Sequence, residues 1–287
     1  MGRSASCHRI APGALVPKTA VVTDSSACLP PELADRLGIA VVPITIHLPD
    51  GDLADGMPEA PSAVYSALRA GAAAKSSAPT PAEYLAAVED RGADGVLIVT
   101  PATEFTGMSR SAAVAAKVAG RRVAVLDSRT AAAAQGLVVL SAAQAAAEGA
   151  GFDEVLRVGE SAVRRAELVA ALDGLDHITR SGRVPPMALG LARRLGVRPV
   201  FRFSGGQAVR VGVPRSEEAS FRRIRAEWAG RGGPGAERTA VFHAAASGRG
   251  ERLAAVLETD AVRMEFGPSM GIHTGPGLVG VAWLRAG

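Results

Sequence analysis

The sequence predicts an α/β protein of two domains, and three observations support this prediction. The chain has 287 residues, more than the roughly 100 to 200 residues of a usual single domain. With 48% hydrophobic and 21% charged residues, it can form packed cores and a charged surface. Short apolar runs alternate with helical patterns in the first half, whereas strand patterns predominate in the second half. We expect an N-terminal domain with a mostly parallel sheet and helices on both faces, followed by a smaller α+β domain with a largely antiparallel sheet.

In the first half, four short runs rich in Val and Ile predict buried strands at residues 19–23, 41–46, 95–99 and 123–126. Helix signals lie between them. Thr80-Pro81 is a capping residue followed by proline at the first helical position, and Thr106 marks the start of a helix that continues to Val118. Because the carboxyl ends of parallel strands share one edge, the polar segments that follow the strands should gather there, where such sheets bind ligands.

The second half predicts strands at residues 168–172, 197–203, 207–213, 239–244 and 261–266, with helices at 216–229 and 252–257. Gly205-Gly206 is typical of a hairpin turn between two of these strands. We therefore place the α/β domain at residues 19–164 and the α+β domain at residues 165–287. Residues 1–18, rich in Gly, Pro and polar residues, are expected to be a disordered extension.

Composition argues against several classes of protein. Cys7 and Cys28 have no metal-ligand spacing and form no disulfide framework. Residues 1–18 lack the apolar core of roughly 7 to 15 residues that a signal peptide requires, so we expect a cytoplasmic protein. The net charge of +4 is carried mainly by dispersed arginines, and aromatic residues make up only 4% of the chain. Because nucleic-acid binding favours a basic stripe with interleaved aromatics, we expect no nucleic-acid partner.

Three separated segments concentrate polar chemistry: residues 76–80 (SSAPT), 106–109 (TGMS) and 273–277 (HTGPG). They supply hydroxyl groups, flexible backbone and one imidazole, without clustered acids or a lysine in a glycine loop. Hydroxyl donors and a helix start can bind an anion without a formal counter-charge. The segments therefore favour holding a carboxylate over transforming a substrate, and we expect no metal and no cofactor.

Six segments, in order, resemble the DegV family of bacterial fatty-acid-binding proteins: residues 21–26, 77–80, 106–112, 125–128, 180–184 and 273–277. The resemblance implies two α/β domains, with the ligand tunnel between them and the fatty-acid carboxylate held by hydroxyl groups. It also implies a non-catalytic role. Family members present a long-chain fatty acid to a separate fatty acid kinase, which forms the acyl phosphate.

Carried over by position, the resemblance assigns carboxylate binding to Ser76, Ser77, Thr106 and His273, and Gly107 is expected to add a backbone N–H at the start of the predicted helix. Residues expected near the ligand are Ser25, Ser26, Met108, Asp127, Thr274 and Gly275. Met108 and Ser109 differ from the threonine and tyrosine that are usual in the family. Three arginines, Arg180, Arg183 and Arg198, are expected on a surface that meets the kinase or, transiently, an anionic membrane.

Two other functions stay open at this point. Asp24 or Asp127 could complete a Ser/His/Asp set with His273, which would make the protein a Ser/His lipid hydrolase. Both aspartates are equally explained as polar residues that cap turns at strand ends. The second alternative is a regulatory protein that senses a carboxylate.

Overall fold

The structure, a computed structural model, describes residues 18–181 and 196–287. Its strands are β1 Thr19–Asp24, β2 Ala40–Val42, β3 Thr45–Leu48, β4 Gly51–Ala54, β5 Lys75–Ser77, β6 Gly95–Thr100, β7 Arg122–Asp127, β8 Ala166–Ala171, β9 Val200–Ser204, β10 Gln207–Gly212, β11 Arg238–His243, β12 Val262–Glu265 and β13 Val279–Leu284. Its helices are α1 Pro31–Arg36, α2 Ala60–Arg69, α3 Pro81–Glu89, α4 Met108–Val118, α5 Ala132–Ala147, α6 Phe152–Arg165, α7 Asp176–Ser181, α8 Glu217–Ala229, α9 Ser247–Leu257 and α10 Pro268–Thr274. The extension expected at residues 1–18 lies outside the described residues, apart from Lys18.

The N-terminal sheet is parallel, in the order β2-β1-β6-β7, which confirms the predicted α/β class. Alternate residues of β1 and β6 pack on opposite faces. Val22 and Ile98 pack with α3 and α4, whereas Val21 and Leu97 pack with α5 and α6. Helix α3 begins as predicted, because Thr80 and Glu83 form a capping box.

The C-terminal sheet has the order β10-β9-β8-β13-β11-β12, and every pairing in it is antiparallel except the parallel pair β11–β12. The sequence analysis did not predict β13, which lies in the middle of this sheet. All six of its residues are buried, so its sequence lacks the alternation that marks a half-exposed strand. Helices α8 and α9 cover one face of the sheet.

The prediction of one strand at residues 41–46 was wrong. The segment forms two strands in different sheets, β2 in the parallel sheet and β3 in a small antiparallel sheet of order β4-β3-β5. Pro43 lies between them, and proline has no N–H with which to continue a ladder of hydrogen bonds. The chain therefore changes sheets at this residue. Because β5 pairs with β3, this change brings the polar segment at residues 76–80 to the edge where the other polar segments meet.

Helix α5 lies between the two large sheets, and 13 of its 16 residues are buried. It packs against β1 and β6 on one side and against β8, β11 and β13 on the other. A helix that is covered all round has no polar face, and small side chains let both sheets approach it closely. This position explains the run of alanines. One hydrophobic core extends from the first sheet through α5 to the second sheet, and the predicted boundary at residue 164 lies near the end of α6.

Candidate binding site between the two sheets

A cavity of about 150 Å³ lies between the carboxyl ends of the first sheet and one face of the second sheet. Five of the chain's seven phenylalanines line it: Phe105, Phe201, Phe203, Phe242 and Phe266. Aliphatic side chains from β8 and from the residue that follows it complete the apolar wall, namely Leu168, Ala170 and Leu172. The scarce aromatic residues are thus concentrated around one internal space, which suits an apolar ligand.

Polar groups line the same cavity and come from distant parts of the chain: Ser26, Ser76, Thr106, Ser269, His273 and Thr274. Ser76 and His273 lie 197 residues apart in sequence, yet Ser76 Oγ is 3.0 Å from His273 Nε2. Ser26 follows β1 and Thr106 follows β6, so the predicted gathering of polar segments at one edge of the parallel sheet is observed.

The two neighbouring serines of β5 point in opposite directions, because side chains alternate across a strand. Ser76 faces the cavity. Ser77 is exposed, and its Oγ lies 2.7 Å from His47 Nε2, while His47 Nδ1 lies 2.7 Å from Asp52 Oδ1. The structure therefore places Ser77 outside the cavity wall, on a surface cluster with His47 and Asp52.

Helix α4 begins one residue later than the sequence pattern suggests for a Thr106 cap, with Gly107 in the capping position. The Met108 N–H donates to Thr106 Oγ1 at 3.3 Å, so this N–H is already used. Thr106 accepts that bond and keeps its own hydroxyl proton for a ligand. The Met108 side chain lines the cavity, whereas Gly107 is exposed and does not.

A buried carboxylate holds the turn that carries Ser26. Asp24 accepts hydrogen bonds from the Ser26 N–H at 3.1 Å, from the Ser26 hydroxyl, and from the Tyr84 hydroxyl at 3.1 Å. Burial raises the pKa of Asp24 to about 6, against the opposing effect of these bonds. Asp24 thus fixes the cavity wall through Ser26.

Asp127 has a similar role at the end of β7. It accepts from the Thr103 N–H at 3.1 Å, from the Thr103 hydroxyl at 2.6 Å, and from the Arg129 N–H at 2.7 Å. Asp127 does not line the cavity. These contacts match the explanation of both aspartates as residues that cap turns.

A second buried carboxylate, Asp55, was not predicted as a site residue. The hydroxyls of Ser25 and Ser269 both donate to Asp55 Oδ2, and the Ser25 hydroxyl also accepts the Ile44 N–H at 3.1 Å. Burial raises the pKa of Asp55. Ser25 lies behind the wall, and Asp55 joins its turn to the start of α10, which carries His273. Nothing in the loop sequence around Asp55 signals a contact 214 residues away.

Of the remaining residues that were predicted near the ligand or on the partner surface, one lines the cavity and the others do not or lie outside the described residues. Thr274 lines the cavity. Gly275 does not; its φ is +78°, and a Cβ there would lie 2.5 Å from the His177 ring. Arg198 forms an ion pair with Asp173, which also pairs with Arg249 at 2.9 Å. Arg183 lies outside the described residues, as does the side chain of Arg180.

Within residues 18–181 and 196–287, no group of three or more His, Cys, Asp or Glu side chains could hold a metal ion. No helix in the same ranges is both long enough and apolar enough to cross a membrane.

Comparison with known proteins gives a consistent result. The model of a family described as "Uncharacterised protein, DegV family" matches residues 18–286. A DegV domain-containing protein of Streptomyces coelicolor is 32% identical over 271 residues, which cover 91% of this chain and 96% of that protein. One from Mycobacterium tuberculosis is 32% identical over 267 residues, covering 91% and 95%.

Solved structures are also similar. A DegV family protein of Thermus thermophilus, described as binding fatty acid, is 28% identical, with a TM-score of 0.83 over 94% of this chain and 100% of that chain. A DegV family protein of Eubacterium eligens, loaded with heptadecanoic acid, has the same fold at 20% identity, with a TM-score of 0.82 over 93% and 100%. The chain belongs to the DegV family.

Proposed function

We propose that this protein binds a long-chain fatty acid, with the carboxylate at Ser76, Thr106 and His273 and the tail among the phenylalanines. One observation carries the proposal: a single cavity is lined both by hydroxyl and imidazole groups, among which Ser76 and His273 are in contact, and by an apolar wall. The similarity to the Thermus thermophilus protein supports it. We assign Ser77 and Gly107 no direct contact, because neither lines the cavity.

The polar end fixes the carboxylate by donated hydrogen bonds. When His273 Nε2 carries a proton, it donates to Ser76 Oγ, and the Ser76 hydroxyl proton is then available to the ligand. Thr106 supplies a second hydroxyl proton. Hydrogen bonds to a charged group contribute about 1.5 to 3 kcal/mol each. Each buried methylene of the tail adds about 0.8 kcal/mol, so the tail supplies most of the affinity.

In this proposal the protein is a non-catalytic carrier in the cytoplasm. It has the bound fatty acid as its ligand and no cofactor. Its partner is a separate fatty acid kinase that phosphorylates the presented carboxylate, and the arginine surface predicted at Arg180, Arg183 and Arg198 meets that kinase or an anionic membrane. A partly exposed polar end supports this role, since Ser76, Thr106 and His273 are all only half-buried.

Ser76→Ala and Thr106→Val should each weaken binding of palmitate about 10- to 150-fold, the factor for one lost charge-assisted hydrogen bond. Titration calorimetry with palmitate measures the change. Ser77→Ala is the matched control: the adjacent serine on the opposite face of β5, whose loss should leave affinity within about twofold, as expected for a surface change away from the ligand. Equal losses from Ser76→Ala and Ser77→Ala would contradict the assigned orientation, and wild-type turnover of an acyl ester would favour the hydrolase.

A further inference from the structure

We propose that Arg129 is a positioning residue that fastens the β9–β10 hairpin to the loop before α4 and thereby limits the rate at which an acyl ligand enters and leaves. This inference rests on the proposed function. It concerns residues that lie outside the carboxylate site, and it assigns them a part in ligand exchange.

Arg129 joins the two halves of the molecule by both its side chain and its backbone. Its Nη2 donates to the Gly205 carbonyl at 2.7 Å and to Glu104 Oε1 at 3.1 Å, and its own carbonyl accepts the Gly206 N–H at 2.9 Å. Gly205 and Gly206 form the tip of the hairpin in the second sheet, whereas Glu104 follows β6 of the first sheet. Arg129 itself follows β7 of the first sheet, so its two contacts with the hairpin cross the gap between the sheets, while Glu104 holds its guanidinium on the side of the first sheet.

The backbone of Arg129 is held in an unusual conformation for these contacts. Its φ is +52°, in the left-handed region that residues with a Cβ seldom adopt. The Arg129 N–H donates to Asp127 Oδ1 at 2.7 Å, and this bond stabilises the turn. Strain of this kind persists where the surrounding contacts determine it, and it is often found at functional positions.

Beneath this contact, two phenylalanines meet across the same gap. The rings of Phe105 and Phe203 lie edge to face, with centroids 5.5 Å apart, and both line the cavity. They are partly exposed, whereas Phe201, Phe242 and Phe266 are buried. The Phe105–Phe203 pair is thus a place where the apolar part of the cavity comes close to solvent.

The loop before α4 is anchored at consecutive residues. Thr103 is bound by Asp127, Glu104 by Arg129 and Phe105 by the ring of Phe203, while Thr106 lines the cavity. Release of the hairpin would free Phe105 from Phe203. Phe105 is the neighbour in sequence of Thr106, one of the residues that we propose bind the carboxylate. The hydrophobic cores on the outer faces of both sheets are not involved.

The contact of Arg129 with the hairpin tip and Glu104 has short distances but is exposed to solvent. Such a contact can open without unfolding of the protein. The side chains of Arg129 and Glu104 are 53% and 41% exposed, and ion pairs at such exposure contribute little to global stability. Gly206 has a φ of +81°, and a Cβ there would lie 2.4 Å from the Glu104 carboxyl carbon. A side chain at this position would be strained by the positive φ, and it would also push the Glu104 carboxylate away from the hairpin tip.

The test measures exchange of a fluorescent fatty acid by stopped flow in Arg129→Met, which keeps the length of the side chain but removes its donors. We expect the release and association rates each to rise about fivefold or more, the factor for one lost hydrogen bond, with an unchanged Kd. Arg129→Lys, which retains a donor, should recover part of the effect. Gly206→Ala should also raise both rates. Arg157→Met is the control, because Arg157 forms an exposed ion pair with Glu154 on α6.

Exchange rates in Arg129→Met equal to those of the wild type and of Arg157→Met would overturn the inference. A faster release rate with an unchanged association rate would also overturn it, because Arg129 would then stabilise the ligand-bound state and would not control access to the cavity. A wild-type protein that fails to bind the fluorescent fatty acid would overturn the proposed function as well, which separates the two failures.

Discussion

Ala170→Leu should remove high-affinity binding of long-chain fatty acids while leaving the protein folded. Ala170 is the next-to-last residue of β8 and lines the cavity together with Leu168 and Leu172; it pairs with Phe201 and Gly280 on the neighbouring strands. A leucine would extend into the space that the tail occupies. Displacement of three or four methylenes costs about 3 kcal/mol at 0.8 kcal/mol each, or a factor of more than about 100 in Kd.

Titration with palmitate and with octanoate checks this prediction. The short acid fills less of the cavity, so Ala170→Leu should affect octanoate far less than palmitate. Ala171→Leu is the matched control, because Ala171 faces the filled core with α8 and α9. There the larger side chain should lower stability by about 1 to 3 kcal/mol through overpacking. If Ala170→Leu kept its palmitate affinity, the tail would not lie along β8.

Gly136→Ala should destabilise the fold by about 2 kcal/mol or more, from overpacking that exceeds the helix-propensity gain of about 1 kcal/mol. A Cβ on Gly136 of α5 would lie 2.4 Å from the Ala27 carbonyl oxygen, which belongs to a backbone that cannot rotate away. The helix and the Ser25–Ala27 turn would have to separate. Since Ser26 and Ala132 line the cavity from these two segments, palmitate affinity should fall as well.

Urea unfolding followed by circular dichroism measures the expected loss in the free energy of unfolding of Gly136→Ala. Gly248→Ala is the control, since Gly248 lies in helix α9 with nothing within 4 Å of an added Cβ. That substitution should stabilise the protein by up to about 1 kcal/mol. Equal stability of Gly136→Ala and Gly248→Ala would show that α5 does not touch the turn as described.

The sequence predicted the parts of the site that depend on local pattern and on sheet topology. Thr80 caps α3 as expected, and the parallel order of β1, β6 and β7 brings Ser26 and Thr106 to one edge. These features follow from short-range signals together with the rule that parallel strands share a carboxyl edge.

Other features depend on contacts that no local pattern encodes. The motif at Ser76 and Ser77 could not show which serine faces inward, because the phase of a short strand is set by the sheet that it joins. The Asp55–Ser269 bond and the contact of Gly275 with His177 both join residues far apart in sequence. Strand β13 lacked alternation because it is buried on both faces.

Mass spectrometry of small molecules extracted from the purified, denatured protein tests the central proposal most directly. We expect a long-chain fatty acid in near-stoichiometric amount from the wild type, and a much reduced amount from Ala170→Leu purified in the same way. A wild-type extract without fatty acid, from protein that also fails to take up added palmitate, would contradict the assignment of this cavity as a fatty-acid site.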